Sequence, residues 1–377
     1  MPGGAAEIPE HLVTPAVAGL TPYEPGKPIE EVQRELGLRR VVKLASNEGP
    51  FPPFPAALEA IDRTARDLNR YPDGGAWALR AALAEQHDVR FEEILFGAGA
   101  DGLIDCISQA FLADGDEIVC GWPSFPSYVI DAVKLGARAV QVPLRDDRYD
   151  LDAMVDAVTE RTKIVYVCHP NNPTGTTNTR DEIERYFERV PEHVLTVLDQ
   201  AYFEYIDDPD YADGVELFKR GVRVAVLRTF SKIFGLAGLR IGWGVASDGV
   251  VTAVAKVRRA FDVNAIAQAA AIASIGDDAE VERRRRANAE QRGVVEEILR
   301  RHGFRCAAPV VANFVYAETG DDARRVFDAL LREGVIVRPL HGFGAPTAIR
   351  VTVGTAEENA LLDEALARVV ALSGGIA

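Results

Sequence analysis

Residues 164–175 read Ile164-Val165-Tyr166-Val167-Cys168-His169-Pro170-Asn171-Asn172-Pro173-Thr174-Gly175, an apolar, β-branched run that ends in a polar turn. Such an uninterrupted run is typical of a strand buried on both faces of a sheet. In the turn, the prolines fix backbone angles and Gly175 permits a positive φ, as many tight loops require. Loop geometry does not explain Asn172, which adds an amide at the carboxyl end of the predicted strand.

Similar runs flank this strand on both sides, and segments with helical spacing, such as residues 103–112 and 181–190, separate several of them. The runs cover residues 94–96, 117–120, 194–198 and 224–227. This alternation predicts an α/β fold with a mostly parallel sheet covered by helices on both faces. Ligands of such sheets bind at the carboxyl ends of the strands. The segments of functional interest follow the predicted strands there, at residues 99–101, 122–125, 169–175, 199–202 and 229–232.

Lys232 lies in the last of these segments, Thr229-Phe230-Ser231-Lys232-Ile233-Phe234-Gly235-Leu236-Ala237-Gly238-Leu239-Arg240. A lysine that attacks an aldehyde needs a neutral fraction, which nearby positive charge or desolvation provides. Thr229, Ser231 and Arg240 are suited to bind a phosphate dianion beside it. The combination indicates a Schiff-base lysine for pyridoxal 5'-phosphate. A solvated surface lysine is the alternative for any single lysine, and the other strand-end segments argue against it.

Asp199 ends a predicted buried strand, where an acidic side chain is costly unless it has a partner. A protonated pyridine nitrogen is such a partner, and its protonation lets the ring accept electrons from a substrate carbanion. Tyr202 and Asn172 are suited to the ring hydroxyl of the same cofactor. Taken alone, Asp199 is equally well explained as a helix N-cap, but its place one strand before Lys232 favours the catalytic interpretation.

The segment Phe96-Gly97-Ala98-Gly99-Ala100-Asp101-Gly102 joins a predicted strand to a predicted helix, so its backbone N–H groups and the helix dipole are suited to a phosphate. It also matches Gly-x-Gly-x-x-Gly, which is typical of nicotinamide dinucleotide binding. That alternative needs an acidic residue at the end of the next strand, but this strand ends in Gly121-Trp122-Pro123. Just beyond, Phe125 offers an aromatic face for a cofactor ring, or a side chain for core packing.

Arg350 lies within the β-branched segment Ala348-Ile349-Arg350-Val351-Thr352-Val353-Gly354. A buried arginine needs an anion, and a substrate carboxylate bound in a bidentate pair is one answer. A structural salt bridge is the other answer, and the pattern of this strand does not separate the two.

The composition describes a globular protein with a substantial core, since 47% of its 377 residues are hydrophobic. The formal charge of −15 disfavours nucleic acid and anionic membranes as partners, and we expect neither. We expect no export or membrane-spanning segment, because no apolar run is long enough. The four cysteines lie far apart, which favours buried free thiols over disulfides or a metal site and fits a cytoplasmic location. The arginine run at residues 283–286 has acidic neighbours and is interpreted as a solvated helix face.

Three parts of the chain differ in pattern. Residues 1–55 are rich in proline and glycine and are expected to form an arm that packs on a smaller domain. Residues 56–262 carry the alternation of strands and helices and predict a large cofactor-binding domain. Residues 263–377 change to long helices with a few strands, which predicts a smaller α+β domain.

Together, these segments resemble the fold type I pyridoxal phosphate aminotransferases, and within them the histidinol-phosphate aminotransferase group. The resemblance covers nearly the whole chain and rests on motifs in the order typical of that group: Asn171-Asn172-Pro173-Thr174-Gly175, Asp199-Gln200-Ala201-Tyr202, Ser231-Lys232 with Gly238-Leu239-Arg240, and Ile349-Arg350-Val351-Thr352-Val353-Gly354. It implies a large domain with a mostly parallel seven-stranded sheet between helices, and a smaller α+β domain. Tyr71-Pro72-Asp73-Gly74 is similar to the segment whose tyrosine reaches the cofactor phosphate of the neighbouring subunit, which implies a homodimer with shared active sites.

The resemblance also implies roles for individual residues. Lys232 is expected to form the Schiff base and move protons, Asp199 to bind the pyridine nitrogen, and Tyr202 and Asn172 to bind the ring hydroxyl. Phe125 is expected to stack on the ring. The residues expected near the cofactor phosphate are Gly99, Ala100, Asp101, Thr229, Ser231, Arg240 and, from the other subunit, Tyr71. The residues expected to bind the substrate are Tyr23, Asn47, Arg338 and Arg350, and no metal is expected.

Two positions depart from the pattern of the group. Gln200 replaces an acidic residue, and its side chain is expected to point away from the cofactor ring. In Asn47-Glu48-Gly49-Pro50, Gly49 replaces an asparagine, in the arm segment that the resemblance assigns to substrate selection.

The expected reaction is the reversible conversion of L-histidinol phosphate and 2-oxoglutarate to imidazole acetol phosphate and L-glutamate, in histidine biosynthesis. Because this amino donor lacks an α-carboxylate, Arg350 is expected to bind its phosphate together with Tyr23 and Arg338. An aromatic amino acid aminotransferase is the main alternative, since phenylalanine or tyrosine would present a carboxylate to the same arginine. A decarboxylase of a phosphorylated amino acid and a non-catalytic binding protein on the same fold are the remaining alternatives.

Overall fold

The computed structural model describes residues 12–21 and 26–373. Its strands are β1 (Val42–Lys43), β2 (Ile94–Gly97), β3 (Glu117–Trp122), β4 (Arg138–Pro143), β5 (Thr162–Cys168), β6 (Leu195–Asp199), β7 (Val224–Thr229), β8 (Gly242–Val245), β9 (Arg305–Cys306), β10 (Phe314–Glu318), β11 (Val335–Ile336), β12 (Arg338–Leu340) and β13 (Ala345–Thr352). Its helices are α1 (Pro15–Ala18), α2 (Ile29–Leu36), α3 (Pro55–Thr64), α4 (Trp77–His87), α5 (Gly99–Phe111), α6 (Pro126–Val133), α7 (Leu151–Asp156), α8 (Arg180–Arg189), α9 (Gly214–Lys219), α10 (Asp248–Val257), α11 (Ala265–Ser274), α12 (Asp278–Arg301), α13 (Ala323–Arg332) and α14 (Ala356–Ser373).

A seven-stranded sheet in the order β2-β8-β7-β6-β5-β3-β4 forms the centre of the larger part of the molecule. β8 runs antiparallel to both of its neighbours, β2 and β7. The remaining neighbours are parallel. Every residue of β6 and β7 is buried, as expected of apolar strands in the middle of a parallel sheet. The predicted α/β fold with a mostly parallel seven-stranded sheet is therefore confirmed.

The parallel strands bring their carboxyl ends to one edge of the sheet, where Cys168 pairs with Asp199 across β5 and β6. Helix α5 begins at the same edge, and its start packs against β8. A Cβ on Gly242 would overlap the backbone of Gly99 and Ala100, so this close approach requires a glycine in β8. The start of α5 is thereby held beside the ends of β5, β6 and β7.

A second sheet, with four antiparallel strands in the order β12-β13-β10-β9, lies in the C-terminal part of the chain. Helices α12 and α13 pack on it. The N-terminal strand β1 forms a parallel pair with β11, in which Val42 lies opposite Val335. This pairing holds the segment before α3 against the C-terminal part.

Two hydrophobic clusters fill these parts. The larger one runs from Phe54 to Ala271 and includes Ala312 and Phe314, whereas the second joins Val42 and Leu44 to residues from α12 to α14. Helix α11 belongs to the larger cluster because it packs on α3, although the sequence pattern assigns residues 263–274 to the smaller domain. The domain boundaries at residues 55 and 262 stay a prediction.

The arginine run at residues 283–286 differs from the predicted solvated face. Arg283 and Arg286 are exposed, but Arg285 is half-buried and Arg284 is only 3% exposed. One side of α12 packs on loops of the larger part, and this side includes Arg284. The interpretation of the whole run as solvated is therefore wrong for this residue.

The four cysteines are buried free thiols, as predicted. Burial raises the pKa of Cys120 to about 12, which keeps this thiol protonated at neutral pH. Across residues 12–21 and 26–373, no helix combines the length and the apolar character that crossing a bilayer demands.

Candidate active site

A cleft of about 710 Å³ lies between the carboxyl ends of β5, β6 and β7 and the four-stranded sheet. It brings together most of the predicted site residues: Asn47, Ala100, Asp101, Phe125, Asn172, Asp199, Tyr202, Thr229, Ser231, Lys232, Arg240, Arg338 and Arg350. Gly99 adjoins this lining as the first residue of α5. Tyr71 lies outside the lining of the cleft, and Tyr23 falls outside the described residues.

Lys232 follows β7 at the floor of the cleft, with its Nζ atom 5.5 Å from the ring centroid of Tyr202. Its pKa is lowered to about 8, first because the amine is desolvated and second because Arg350 and Arg240 add positive charge nearby. The carboxylates of Glu48 and Asp199 act in the opposite direction. At pH 7 roughly one tenth of the Lys232 amine is therefore neutral, far more than for an ordinary lysine, as a nucleophilic lysine requires.

Asp199 ends β6 and is buried. One carboxyl oxygen accepts a hydrogen bond from the Tyr128 hydroxyl (2.6 Å), and the other accepts one from the backbone N–H of Ala201 (3.0 Å). Burial raises the pKa of this carboxyl, whereas these two hydrogen bonds lower it. Asp199 does not act as the N-cap of an α-helix, because the turn that follows is a short 3-10 segment at Phe203–Tyr205.

Tyr128, which the sequence pattern did not indicate as a site residue, donates its hydroxyl hydrogen bond to Asp199. It is fully buried, and its ring stacks on Tyr166 with the centroids 4.4 Å apart. The Tyr166 hydroxyl in turn forms a hydrogen bond of 3.0 Å with Ser108. These contacts fix the hydroxyl that binds Asp199. The available signal was its position in the first turn of the helix that follows Phe125.

Tyr202 and Asn172, which are predicted to meet the ring hydroxyl, line the cleft together with Asn47, which is predicted to bind the substrate. The Asn47 side chain donates to the Tyr202 hydroxyl at 2.8 Å. Asn172 accepts a hydrogen bond from Arg350 through its amide oxygen, so a ring hydroxyl would be met by its amide nitrogen. Asn47 itself is held by Thr352 and Asn313, which bond its backbone N–H and carbonyl. Asn47 and Tyr202 are thus bonded to each other, whereas Asn172 is held by Arg350.

The predicted phosphate site is a backbone cradle with an arginine beside it. Gly99 has a φ of +82°, and a Cβ there would lie 2.8 Å from the Arg240 guanidinium. The glycine therefore leaves room for Arg240 at the N-terminus of α5, where free backbone N–H groups and the helix dipole favour an anion. Ser231 donates its backbone N–H to the Thr229 hydroxyl (3.1 Å), and Asp101 accepts from the Ser127 hydroxyl. A phosphate fits this arrangement of charge.

Phe125 is half-buried in the lining of the cleft and meets Tyr128 edge-on, with the ring centroids 5.7 Å apart. It also packs against both the large cluster and a small cluster around Phe343. Phe125 therefore packs in the core and also lines the cleft, and its stacking on a cofactor ring stays a prediction.

Two arginines of the four-stranded sheet form the far wall of the cleft. Arg338 on β12 and Arg350 on β13 are direct partners in the antiparallel register. Arg350 is buried and donates to Asn172 and to the backbone carbonyl of Ala45, the latter at 2.9 Å. Its guanidinium carbon lies 5.2 Å from the ring centroid of Phe343. Two adjacent guanidinium groups across from a lysine suit a substrate that carries an anionic group.

Tyr71 is 82% exposed and stacks on Phe261, with the ring centroids 4.7 Å apart. The loop that follows is well fixed, because Asp73 accepts hydrogen bonds from the backbone of Gly75 and Trp77. An exposed tyrosine on a fixed loop does not contribute to the cleft of its own chain. It is suited to contact a second protein surface.

The cleft as a whole fits pyridoxal phosphate. Lys232 supplies a nucleophilic amine, and Asp199 supplies a buried carboxyl that a protonated pyridine nitrogen would satisfy. The cradle at Gly99 and Arg240 supplies the place for a phosphate. On the opposite wall, Arg350 is in position for an anionic substrate.

Comparison with known proteins agrees with this chemistry. Residues 39–369 match the model of the family described as Aminotransferase class I and II. The chain is 44% identical to a protein of Anaeromyxobacter sp. (strain Fw109-5), over 95% of this chain and 99% of that protein. It is 42% identical to a protein of Moorella thermoacetica (strain ATCC 39073 / JCM 9320), over 94% and 92% respectively. Both relatives are named histidinol-phosphate aminotransferase.

Solved structures give the same result for the fold. The chain resembles the crystal structure of histidinol-phosphate aminotransferase from Sinorhizobium meliloti in complex with pyridoxal-5'-phosphate, with a TM-score of 0.83 and 30% identity. This match covers 96% of the chain and 98% of that structure. A Thermus thermophilus aspartate aminotransferase double mutant also matches, with a TM-score of 0.83 and 27% identity over 95% of the chain.

Proposed function

The chain belongs to the class I and II aminotransferases, and from this membership we propose that it transfers the amino group of L-histidinol phosphate to 2-oxoglutarate with pyridoxal phosphate as cofactor. The products are imidazole acetol phosphate and L-glutamate, and the reaction belongs to histidine biosynthesis. The observation that carries this proposal is the cleft itself, in which Lys232 and Asp199 lie opposite the arginine pair Arg338 and Arg350. Relatives that match nearly the whole chain are named for this activity.

When bound, pyridoxal phosphate acts as an electron sink that stabilises negative charge on the carbon bearing the amino group. Asp199 holds the proton on the pyridine nitrogen, which this electron sink requires. Tyr202 and Asn172 orient the ring through its hydroxyl, and Arg240 with the start of α5 binds the phosphate. With the cofactor bound, Lys232 Nζ would take the proton from the substrate carbon that bears the amino group and then act as the proton donor, since its lowered pKa lets it act as a base near neutral pH.

The anion of the amino donor is the point at which the candidate substrates differ. In histidinol phosphate the anion is a phosphate, and in an aromatic amino acid it is a carboxylate. Arg350 and Arg338 can form bidentate contacts with either group. The cleft therefore supports an anionic donor, and the names of the relatives favour the phosphate ester.

The proposed enzyme works as a homodimer in which Tyr71 of one subunit completes the phosphate site of the other. Two observations support this arrangement: Tyr71 is 82% exposed and lies outside its own cleft, and exposed Trp77, Leu68 and Phe261 surround it in sequence or space. Apolar side chains of this size are unusual on a surface that faces only water. We also assign the enzyme to the cytoplasm, where free thiols such as its four cysteines stay reduced.

The test is a titration of the cofactor-loaded protein with L-histidinol phosphate or L-phenylalanine in the absence of any keto acid. Conversion of the visible absorbance of the lysine-bound cofactor to that of its amine form is followed at each concentration. We expect half-conversion at a much lower concentration of histidinol phosphate. A preference for phenylalanine would instead make the protein an aromatic aminotransferase, and release of carbon dioxide without conversion would indicate a decarboxylase.

A further inference from the structure

Helix α12 carries side-chain donors that bind backbone carbonyls of separate loops. Arg284 donates from Nη1 to the carbonyl of Ile233 at 3.0 Å and from Nη2 to the carbonyl of Pro52 at 2.8 Å. Its neighbour Arg285 donates to the carbonyl of Glu204 at 2.9 Å. Ile233 directly follows Lys232, and Glu204 lies two residues after Tyr202. One helix therefore holds two of the loops that form the cleft.

The surroundings of Arg284 fix its guanidinium group. The side chain is buried, its Nε donates to Glu280 at 2.7 Å, and its guanidinium carbon lies 4.4 Å from the ring centroid of Phe54. A buried charge without such partners is costly, so the three hydrogen bonds act together. The planar fork of an arginine can bind two carbonyls in fixed directions, which a lysine does not match.

The two loops that Arg284 joins also touch each other. Gly235 has a φ of +73°, and a Cβ there would lie 2.8 Å from the carbonyl oxygen of Pro52. A Cβ on Gly49 would lie 3.3 Å from the carbonyl oxygen of Lys232. The same Lys232 carbonyl accepts a hydrogen bond from the N–H of Gly235 at 3.0 Å. Residues 49–52 and the backbone of Lys232 are thus packed with little room to shift independently.

We propose that Arg284 is a positioning residue that couples the segment carrying Asn47 to the loop carrying Lys232. Arg284 does not line the cleft, so it acts through the two backbones and not on the substrate. Asn47 binds the Tyr202 hydroxyl, so the coupling links the substrate side of the cleft to the lysine. Because the lysine concerned is the one that the proposed reaction uses, this inference rests on the proposed function.

The test compares Arg284→Met with Arg283→Met. Both arginines donate to Glu280, and the Arg283 guanidinium carbon lies 4.8 Å from the ring centroid of Phe51, but Arg283 is exposed and its hydrogen bonds in the described residues reach no loop carbonyl. Misplacement of a catalytic group by about 1 Å can lower the rate about a hundredfold. We expect kcat to fall by about 10- to 100-fold in Arg284→Met, with a much smaller change in KM, while Arg283→Met stays within about twofold of wild type.

Amide hydrogen exchange of the cofactor-free protein gives a readout that does not depend on activity. Arg284→Met should exchange faster in residues 54–60, where the N–H of Leu58 bonds the carbonyl of Phe54, and in residues 230–236, with β5 and β6 unchanged, whereas Arg283→Met should match wild type in residues 230–236. Arg284→Lys keeps the charge beside Glu280 but lacks the fork, and we expect it to fall between wild type and Arg284→Met in both measurements. If Arg284→Met does not fold, the comparison of Arg284→Lys with Arg283→Lys takes its place.

The inference is overturned if the Arg284 variants keep wild-type kcat and wild-type exchange in both segments. It is also overturned if exchange rises uniformly along the chain, because that pattern indicates general loss of stability and not coupling of two loops. A wild-type protein that transaminates no donor would refute the proposed function instead. In that case the exchange of the two segments still decides whether Arg284 couples them.

Discussion

At the scale of single residues, the reactivity of Lys232 depends on its neighbours across the cleft. Desolvation and then the positive charge of Arg350 lower its pKa to about 8. A base with a lowered pKa loses its proton at a lower pH, so the neutral amine accumulates as the pH rises through about 8. We expect the rate at which cofactor-free enzyme captures pyridoxal phosphate to rise with pH up to this point and then to level off. Stopped-flow absorbance measures this rate.

Substitution of Arg350, with substitution of Arg338 as its control, tests the same rate profile. Arg350→Met removes one source of positive charge beside the lysine, so the midpoint of the rate profile should move to higher pH. Arg338→Met should move it less, because Arg338 is not among the main causes of the lowered pKa. A wild-type midpoint near 10.5, the ordinary value for lysine, would contradict the effect of the cleft on this amine.

Substitution of Tyr128 should weaken the interaction of Asp199 with the cofactor. Tyr128→Phe removes a hydrogen bond of 2.6 Å to a buried carboxyl and so raises the pKa of that carboxyl further. A hydrogen bond to a charged group contributes about 1.5–3 kcal/mol, so we expect kcat and cofactor affinity each to fall by about tenfold or more. Steady-state kinetics and a fluorescence titration of the cofactor measure the two quantities.

Tyr166→Phe is the matched control for this substitution. Tyr166 stacks on Tyr128, but its hydroxyl binds Ser108 and not Asp199. We expect both variants to lose similar stability and only Tyr128→Phe to lose cofactor affinity. Equal effects on affinity would mean that the tyrosine pair acts through packing.

The sequence predicted residues such as Lys232, Asp199 and Arg350, because a charged side chain at or near the end of an apolar strand indicates a site residue. It did not predict Tyr128 or Arg284, because a tyrosine in an apolar helix and an arginine in a charged run have ordinary explanations. Their partners, Asp199 for one and the carbonyls of Pro52 and Ile233 for the other, are distant in sequence. Only the folded chain brings them together.

At the scale of elements, the start of α5 depends on the absence of a side chain at residue 242 of β8. In Gly242→Ala the new methyl group would overlap the backbone of Gly99 and Ala100, and backbone cannot rotate away as a side chain can. Overpacking of this kind costs about 1–3 kcal/mol. We therefore expect a lower Tm together with a cofactor affinity reduced by about tenfold or more, measured by thermal unfolding and cofactor titration.

Gly249→Ala provides the comparison within the same fold. Gly249 lies in α10 with no atom close to the position of a Cβ, so alanine should stabilise the helix by about 0.5–1 kcal/mol and leave the cofactor affinity unchanged. If Gly242→Ala behaved like Gly249→Ala, the close contact between α5 and β8 would not control the phosphate site.

The central strands could be predicted from the sequence because burial on both faces makes them continuously apolar. The inner face of the first half of α12 could not, since Arg284 and Arg285 bind backbone carbonyls there and leave no apolar stripe. The packing position of α11 could not be predicted from the sequence either. Its alanine-rich sequence suits a close helix–helix contact, but nothing in it identifies α3 as the partner.

At the scale of the whole molecule, the proposed homodimer makes a prediction about mixed subunits. Tyr71→Phe damages the site of the neighbouring subunit, whereas Lys232→Ala destroys the site of its own subunit. In a heterodimer of these two variants, one site carries both changes and the other carries neither. We expect mixtures of the two inactive or weakened proteins, dissociated and reassociated together, to recover turnover that neither has alone.

As controls, each variant is dissociated and reassociated alone by the same procedure. Turnover that stays at the average of the two parents would contradict a site shared between subunits. A site shared between subunits was predicted only from the resemblance at Tyr71. The sequence of one chain does not show which surface an exposed tyrosine contacts. The fixed Asp73 turn and the stacked Phe261 support the proposal, because they hold the exposed Tyr71 ring in place for contact with a second subunit.

The pairing of β1 with β11 also constrains when the enzyme becomes competent during synthesis. Val42 leaves the ribosome long before its partner Val335 is made. The backbone of Asn47 likewise awaits Thr352. A nascent chain can therefore assemble its central sheet well before the cleft closes, and the chain must have been made as far as Thr352 before the cofactor meets a finished site.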